Sequence, residues 1–558
     1  MARQRTLLLP GLSAIALLAS GCDSTAPERQ RIDLLVTEAN GYNVLADATI
    51  VPFEVMAVDS GKVIALGDAA LAQQFSATKT LAVSGATVLP GLIDAHGHVS
   101  SLGKLRQSLD VAGIASLDQT LSAVADYAQG LTAGEWVTGR GWNQVIWRDQ
   151  QFPTAEDLDS VVAERPVFLN RIDGHAAWAN TEALRLAGIN ADTVDPDGGK
   201  ILRDAQGEAT GVLIDSAMGL VERVIPIDTR ERRTAHIKTA LAELASLGIT
   251  SVHDAGSLLV EISIYQALAK NNELPIRVSA MLGGEATLDA FNAPIRGYAE
   301  DRFETTSVKL YADGALGSRG AALLSDYSDN LGNTGLLFAD AATMAKVIGK
   351  AHAKGFAAHI HAIGDAANRA VLDAFEELND GKPSGLHDRI EHAQVLALDD
   401  IPRLKTLGIT ASVQPTHATS DKNMAEDRLG SERIKGAYAW RKFLDAGVAI
   451  AAGSDFPVEK PEMFDGLYAA ISRQDKQGEP LGGWYPGEAL TREETLAAFS
   501  IWAAASVDQD DRLGNLSPGQ WADFIVIDRD YFDVPVAQIW QIDVLQTWVA
   551  GELVYRRD

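Results

Sequence analysis

The 558-residue chain has one cysteine, Cys22. An intrachain disulfide and a thiolate metal cluster are both excluded. Any metal site must come from His, Asp, Glu or a modified Lys. Positive charge is also scarce. Only 48 Lys and Arg stand against 75 Asp and Glu, for a formal net charge of −27. That balance argues against nucleic acid as a partner, because phosphate binding needs a basic face. It favours solubility and says little about fold. No repeat period and no low-complexity stretch is evident. Beyond the N-terminus, no apolar run is long enough to span a bilayer. The length exceeds one small core, though α/β barrels run large as single domains.

The N-terminus accounts for the cysteine. Arg3 and Arg5 precede the apolar "TLLLPGLSAIALLAS" (Thr6–Ser20), which is followed by "ASGCDS". This pattern resembles a bacterial lipoprotein signal, with Gly21 at −1, Ala19 at −3 and cleavage before a lipidated Cys22. An ordinary secretory signal is the alternative. The resemblance implies a signal peptide over 1–21, a tether over 22–31 and a lipid anchor in the bacterial cell envelope, facing the periplasm. Asp23 suggests the inner membrane.

Short β-branched runs punctuated by Gly turns fill 32–87, and similar alternation returns over 515–558. The two ends are expected to form one composite β-sandwich. Between them, strand-like runs alternate with helical ones, which implies parallel βαβ units. Taking Val88–Asp94 as the first strand gives eight, ending near His96, His253, Leu282, Lys309, His361, His392, Gln414 and Asp455. The expected fold is α/β, a (β/α)8 TIM barrel over 88–514 with an insertion at about 100–245. An insertion after the first strand falls on the catalytic face.

His96 and His98 lie two apart, on one face of a strand. Lys309, His361, His392 and Asp455 also fall near C-terminal strand ends, which converge on one mouth in a closed barrel. Several imidazoles beside a carboxylate suit a divalent cation. A neutral Lys309 could take up carbon dioxide and offer a bridging carbamate; the alternative is a plain lysine paired with Asp313 or Asp455.

"GLIDAHGH", "VKLYADGALGSRGA", "HAIGDAANR", "RIEHAQ" and "AGSDFPV" resemble the motifs of the amidohydrolase superfamily. They are most similar to its amidohydrolase-3, or YtcJ-like, group, and "GRGWNQVIW" and "DGHAAWANTEAL" in the insertion agree. The likeness runs from about Ile32 to Tyr555. It implies a metal-dependent hydrolase with one or two divalent ions, zinc foremost. The implied ligands are His96, His98, a carboxylated Lys309, His361, His392 and Asp455. The motif selects His361 over His359, which is left a supporting role.

Asp455 is expected to move the proton and His392 to help hold the oxyanion. Substrate contacts are expected from Asp173, His175, Trp142, Arg319 and His253, each with a structural role as the alternative. Trp147 is assigned to packing, and His417 is placed within reach of the mouth. His236, His352 and His387 sit in ordinary helix or loop contexts.

The expected activity is hydrolysis of a non-peptide C–N amide bond in a small molecule. An esterase or lactonase using the same site, and a non-catalytic metal- or solute-binding lipoprotein, are the competing readings. A complete ligand set with a general base argues against the binder. Nothing in the sequence points to a particular oligomer.

Overall fold

The computed structural model describes residues 29–132, 134–172 and 174–558. The signal peptide, Cys22, Asp23 and Asp173 lie outside the described residues.

Eight parallel strands form a near-closed barrel. They are β1 (Leu92–Gly97), β2 (Ile249–Ser257), β3 (Arg277–Gly283), β4 (Phe303–Tyr311), β5 (Ala357–Ala362), β6 (Arg389–His392), β7 (Thr410–Val413) and β8 (Ile450–Ala452). The order is sequential, and an isolated parallel bridge from Gly97 to Phe456 joins the two ends. The expected barrel is therefore present.

Alternation along the strands decides what each face carries. Val252, Val278, Val308, Ile360 and Ile390 join the apolar core shared with the surrounding helices. Their neighbours His253, Ser279, Lys309, His359 and Glu391 are buried polar residues. A barrel interior this polar is tolerated only if its groups bond one another. Arg389 does much of this, bonding His253, Ser412, Ser506, Glu391 and the carbonyl of Ala95.

The expected first strand needs correction. Thr87–Pro90 belongs to a different sheet, paired antiparallel with Phe524–Ile527. The barrel strand begins only at Leu92. Gly91 makes the crossing, donating its N–H to Asp523 O, at a point where a Cβ would lie 2.2 Å from Thr250.

Both chain ends contribute to that six-stranded sheet, which combines Asn40–Val44, Ile50–Phe53 and Thr87–Pro90 with Phe524–Ile527, Val544–Val549 and Glu552–Arg556. A four-stranded sheet of Gln30–Thr37, Val55–Asp59, Lys62–Gly67 and Phe75–Ala82 packs against it. The shared core holds Leu34, Val36 and Met56 from one sheet and Val88, Phe524 and Trp548 from the other.

Between β1 and β2 stands a third sheet of six strands, running from Leu109–Asp110 to Ala209–Asp215. It has its own core around Trp142, Trp147 and Trp178. The flanking helices Val99–Arg106 and Arg230–Ser246 instead bury Leu102, Ile237 and Leu241 in the barrel's core.

Candidate metal centre

The site is built at the seam where β1 meets β8. Asp94 accepts the N–H of His96 at 3.1 Å, the N–H of Ser454 at 3.0 Å and the Ser454 hydroxyl at 2.7 Å. Gly453 permits this approach, since a Cβ there would stand 2.5 Å from His96 N and 2.6 Å from Asp94 Oδ1. The Asp455 N–H then donates to His96 O at 2.7 Å. His96 and Asp455 are neighbours because the seam is stitched on both sides of them.

Three imidazoles are anchored through Nδ1. His96 Nδ1 lies 2.5 Å from Glu391 Oε2, His98 Nδ1 2.9 Å from Ala255 O, and His392 Nδ1 2.7 Å from Gln414 Oε1. Each partner is an acceptor, so each Nδ1 carries a proton, and in the neutral ring Nε2 keeps a lone pair. His98 Nε2 sits 3.1 Å from Asp455 Oδ1, and His96 Nε2 3.6 Å from the same oxygen. Lone pair against carboxylate is repulsive. A cation between them turns the repulsion into coordination.

Burial keeps His96 and His392 uncharged, and His361 with them. Desolvation and the neighbouring Lys309 lower His96 to about 4 and His361 to about 3. Burial and His361 push His392 well below the usual histidine range. Neutral imidazole is the form that binds metal. Burial opposes ionisation of Asp455, yet a hydrogen bond donated by His98 and the positive charge a protonated imidazole would bring lower its carboxyl far below the usual range. Glu391 is likewise held down against burial, by Arg389, His96 and Lys309.

The donor set fits a divalent cation such as zinc. Ligand atoms of His96, His98 and Asp455 all lie within 4.8 Å of one another, as do those of His392, His417 and Asp455. Asp455 Oδ1, His361 Nε2 and His417 Nε2 are buried without a hydrogen-bond partner among the described residues. Each such atom costs about 1–3 kcal/mol unless something occupies the space between them.

Lys309 closes the ring of donors. Its Nζ is buried 3.4 Å from His96 Nε2. Desolvation lowers it to about 8, although Glu391 and Asp455 pull the other way. His96, His98, Lys309, His361, His392 and Asp455 line one cavity of about 410 Å³. His392 and Asp455 hold positive φ, 74° and 62°. Such backbone costs about 1–3 kcal/mol per residue and concentrates at working sites.

The expected substrate contacts do not join this cavity. His253 is fully buried, with its Nδ1 2.9 Å from Arg389 Nη1, because the polar barrel interior claims it. Trp142 is also fully buried and donates to Leu169 O, because the inserted sheet needs a core. Arg319 is taken up by a two-pronged pair with Asp329 at 2.9 and 3.1 Å. His175 is exposed and bonded to Asp215 at 2.8 Å. None of the four lines the metal cavity.

Other residues gain importance. Glu391 orients His96, and Gln414 orients His392. His417 stacks on His392 with ring centres 5.9 Å apart and places Nε2 3.7 Å from Asp455 Oδ2. Asp313 accepts the N–H groups of Ala322, Ile363 and Gly364, and lies 3.7 Å from His361 Nε2. His359 is buried with Nδ1 3.7 Å from Glu391, in the supporting position.

Known proteins resemble this chain in sequence and fold. YtcJ of Bacillus subtilis (strain 168) is 32% identical over 490 residues, covering 86% of this chain and 91% of its own. The protein LONG AFTER FAR-RED 3 of Arabidopsis thaliana is 33% identical, covering 95% and 93%. An N-substituted formamide deformylase of Arthrobacter pascens is 28% identical, covering 95% and 99%. The crystal structure of an uncharacterized metal-dependent hydrolase from Pyrococcus horikoshii OT3 superimposes with a TM-score of 0.77 at 27% identity, covering 90% of this chain and 99% of that one. Residues 79–555 match the profile of the amidohydrolase family. The chain belongs to that family and is a metal-dependent hydrolase.

Proposed function

We propose that the protein hydrolyses a non-peptide C–N amide bond of a small molecule. The observation that carries this reading is the convergence of His96 and His98 Nε2 on one oxygen of Asp455, with each Nδ1 set against an acceptor behind it. The deformylase relative supports the bond type, being named for an N-substituted formamide.

His96, His98, His361, His392 and Asp455, with a carboxylated Lys309, would hold one or two divalent ions, zinc foremost. Bound there, such ions supply Lewis acidity toward a carbonyl oxygen and toward water. Asp455 accepts the proton of the attacking water on a carboxylate oxygen and delivers it to the leaving nitrogen. His417 places Nε2 3.7 Å from Asp455 Oδ2 and would serve as a further ligand there. His392, with its Nδ1 proton held by Gln414, would ligate through Nε2, so the oxyanion role expected of it does not fit this geometry. Lys309 takes up carbon dioxide as a neutral amine: its nitrogen bonds the carbon and releases a proton.

Metal-reconstituted protein should release amine from a panel of secondary amides and formamides, and lose this activity on chelation. Cleavage of isosteric esters with no amide turned over would favour the esterase or lactonase reading. Metal binding without any turnover would favour the solute-binding one.

The N-terminus adds a location. Lipidated Cys22 tethers the enzyme to the cell envelope with its barrel in the periplasm. Radiolabelled palmitate should enter the wild-type chain in a bacterial host and not Cys22→Ser, which should move to the soluble fraction.

A further inference from the structure

The barrel mouth holds a second cavity. It lies over the ends of β1 and β2, with a volume of about 360 Å³. His98, Ser100, Ser101, Lys104 and Arg233 are among its walls. His98 lines this cavity and the metal cavity alike. A ligating imidazole thus stands between two chambers.

The chambers offer opposite chemistry. In the metal cavity the surface left over is apolar: Leu316, Ile363, Val458 and the ring of Tyr311. Polar side chains there are already engaged. Gln394 bonds Asp421 at 3.1 Å and Tyr438 at 2.6 Å, and Glu459 accepts the Ser420 hydroxyl at 2.6 Å. The second chamber carries charge, but in closed pairs, Lys104 with Asp228 at 3.2 Å and Arg233 with Glu261 at 2.7 Å. Asp254 is consumed by Tyr265, Ser257 and the N–H of Val99. The hydroxyls of Ser100 and Ser101 are left over, with no side-chain hydrogen bond among the described residues. Arg233 Nε is a buried donor that is also unpartnered among them. With charges cancelled and hydroxyls free, this wall selects an uncharged group that both donates and accepts.

We propose that the substrate straddles His98, with an uncharged hydrogen-bonding substituent, a hydroxyl or carboxamide, against Ser100 and Ser101. Its other substituent is apolar and packs on Leu316, Ile363 and Val458. This deepens the amide-hydrolysis reading and rests on it.

The test uses amide pairs that differ by one hydroxyl replaced with methyl, such as N-benzylglycolamide and N-benzylpropionamide, and the reverse pair with the hydroxyl on the amine side. Binding to the metal-loaded protein is measured by calorimetry, and turnover is measured separately. In one orientation the hydroxyl compound should bind about tenfold more tightly than its methyl partner, the worth of one or two hydrogen bonds. Ser100→Ala/Ser101→Ala should close that gap, with metal content reporting that the site still assembles. Equal binding of both partners in both orientations, or a gap that survives the double variant, overturns the proposal. A hydroxyl preference in binding without any cleavage would keep the chamber and sink the hydrolase reading instead.

Discussion

Glu391 accepts a hydrogen bond from His96 Nδ1 at 2.5 Å, with both side chains buried to 1% exposure or less. Arg389 holds the same carboxylate at 2.8 Å from the other side. A ring so fixed can offer its Nε2 in one direction only. Removing the carboxylate therefore acts on the metal. Glu391→Gln should weaken divalent-ion binding by about 10- to 100-fold, the usual effect of losing a ligand's outer partner. Competition with a chromogenic chelator measures this directly. Leaving Arg389 buried without its counter-charge should also cost about 3–5 kcal/mol of stability.

The buried imidazoles of the metal-free protein should contribute acid sensitivity. Burial lowers His96 to about 4 and His361 to about 3, and lowers His392, His253 and His359 well below the histidine range. Between the ordinary value near 6.5 and these low values, the unfolded chain binds protons that the folded chain refuses. Each such group removes about 1.4 kcal/mol of stability per pH unit as pH falls through that window. Burial raises Asp94 and Asp313 to about 6 and Glu304 to about 7, and these act in the opposite direction above about pH 4. Burial raises Asp254, Asp365, Glu462 and Asp465 as well, so the imidazole contribution is read by difference. Tm of chelated His361→Gln, relative to the chelated wild type, should rise from pH 6.5 to pH 5 in calorimetric scans, because the variant no longer carries the lowered ring. A relative Tm that falls over this interval would contradict the assignment of a neutral His361.

Lys309 is the place to look for bound carbon dioxide. Burial brings the amine to about 8, so its reactive neutral form grows as pH rises toward that value. Reconstitution of the chelated enzyme should speed up with added bicarbonate, and more so at pH 8 than at pH 7. Lys309→Ala should lose the bicarbonate dependence and hold fewer ions per chain by elemental analysis. Intact-protein mass spectrometry under gentle conditions should find one carbon dioxide on the wild type only.

The barrel was legible because each of its strands reads as an apolar run closed by polar residues, and parallel strands deliver those ends to one mouth. Ligand pairing was legible for His96 and His98, where a two-residue spacing keeps one face. Glu391 was hidden by the same rule. Next to His392 in sequence, it belongs on the opposite face of β6. The positive φ of His392 breaks the alternation and lets both serve one centre. The start of β1 was misplaced because Val88–Pro90 and Leu92–Asp94 read as one continuous run. The change of sheet at Gly91 depends on Thr250 and Asp523, far away in the chain. Trp142, Arg319 and His253 each had a partner that only tertiary packing supplies.

Gly453 separates assembly of the seam from ligand chemistry. A methyl group at this position would press on His96 N at 2.5 Å and on Asp94 Oδ1 at 2.6 Å, closer than real Cβ contacts come. One of these neighbours is backbone, so the strain has no flexible side chain to absorb it. Gly453→Ala should therefore part the ends of β1 and β8 and carry His96 away from Asp455. Tm and metal affinity should fall together, by about 1–3 kcal/mol in stability for an overpacked site. His417→Ala offers the contrast, since its Nε2 has no hydrogen bond to lose among the described residues. Its affinity for the ion should fall while Tm of the chelated protein holds within about 1 kcal/mol in equivalent stability. If Gly453→Ala bound metal as tightly as the wild type, the seam would not be what sets the geometry of the centre.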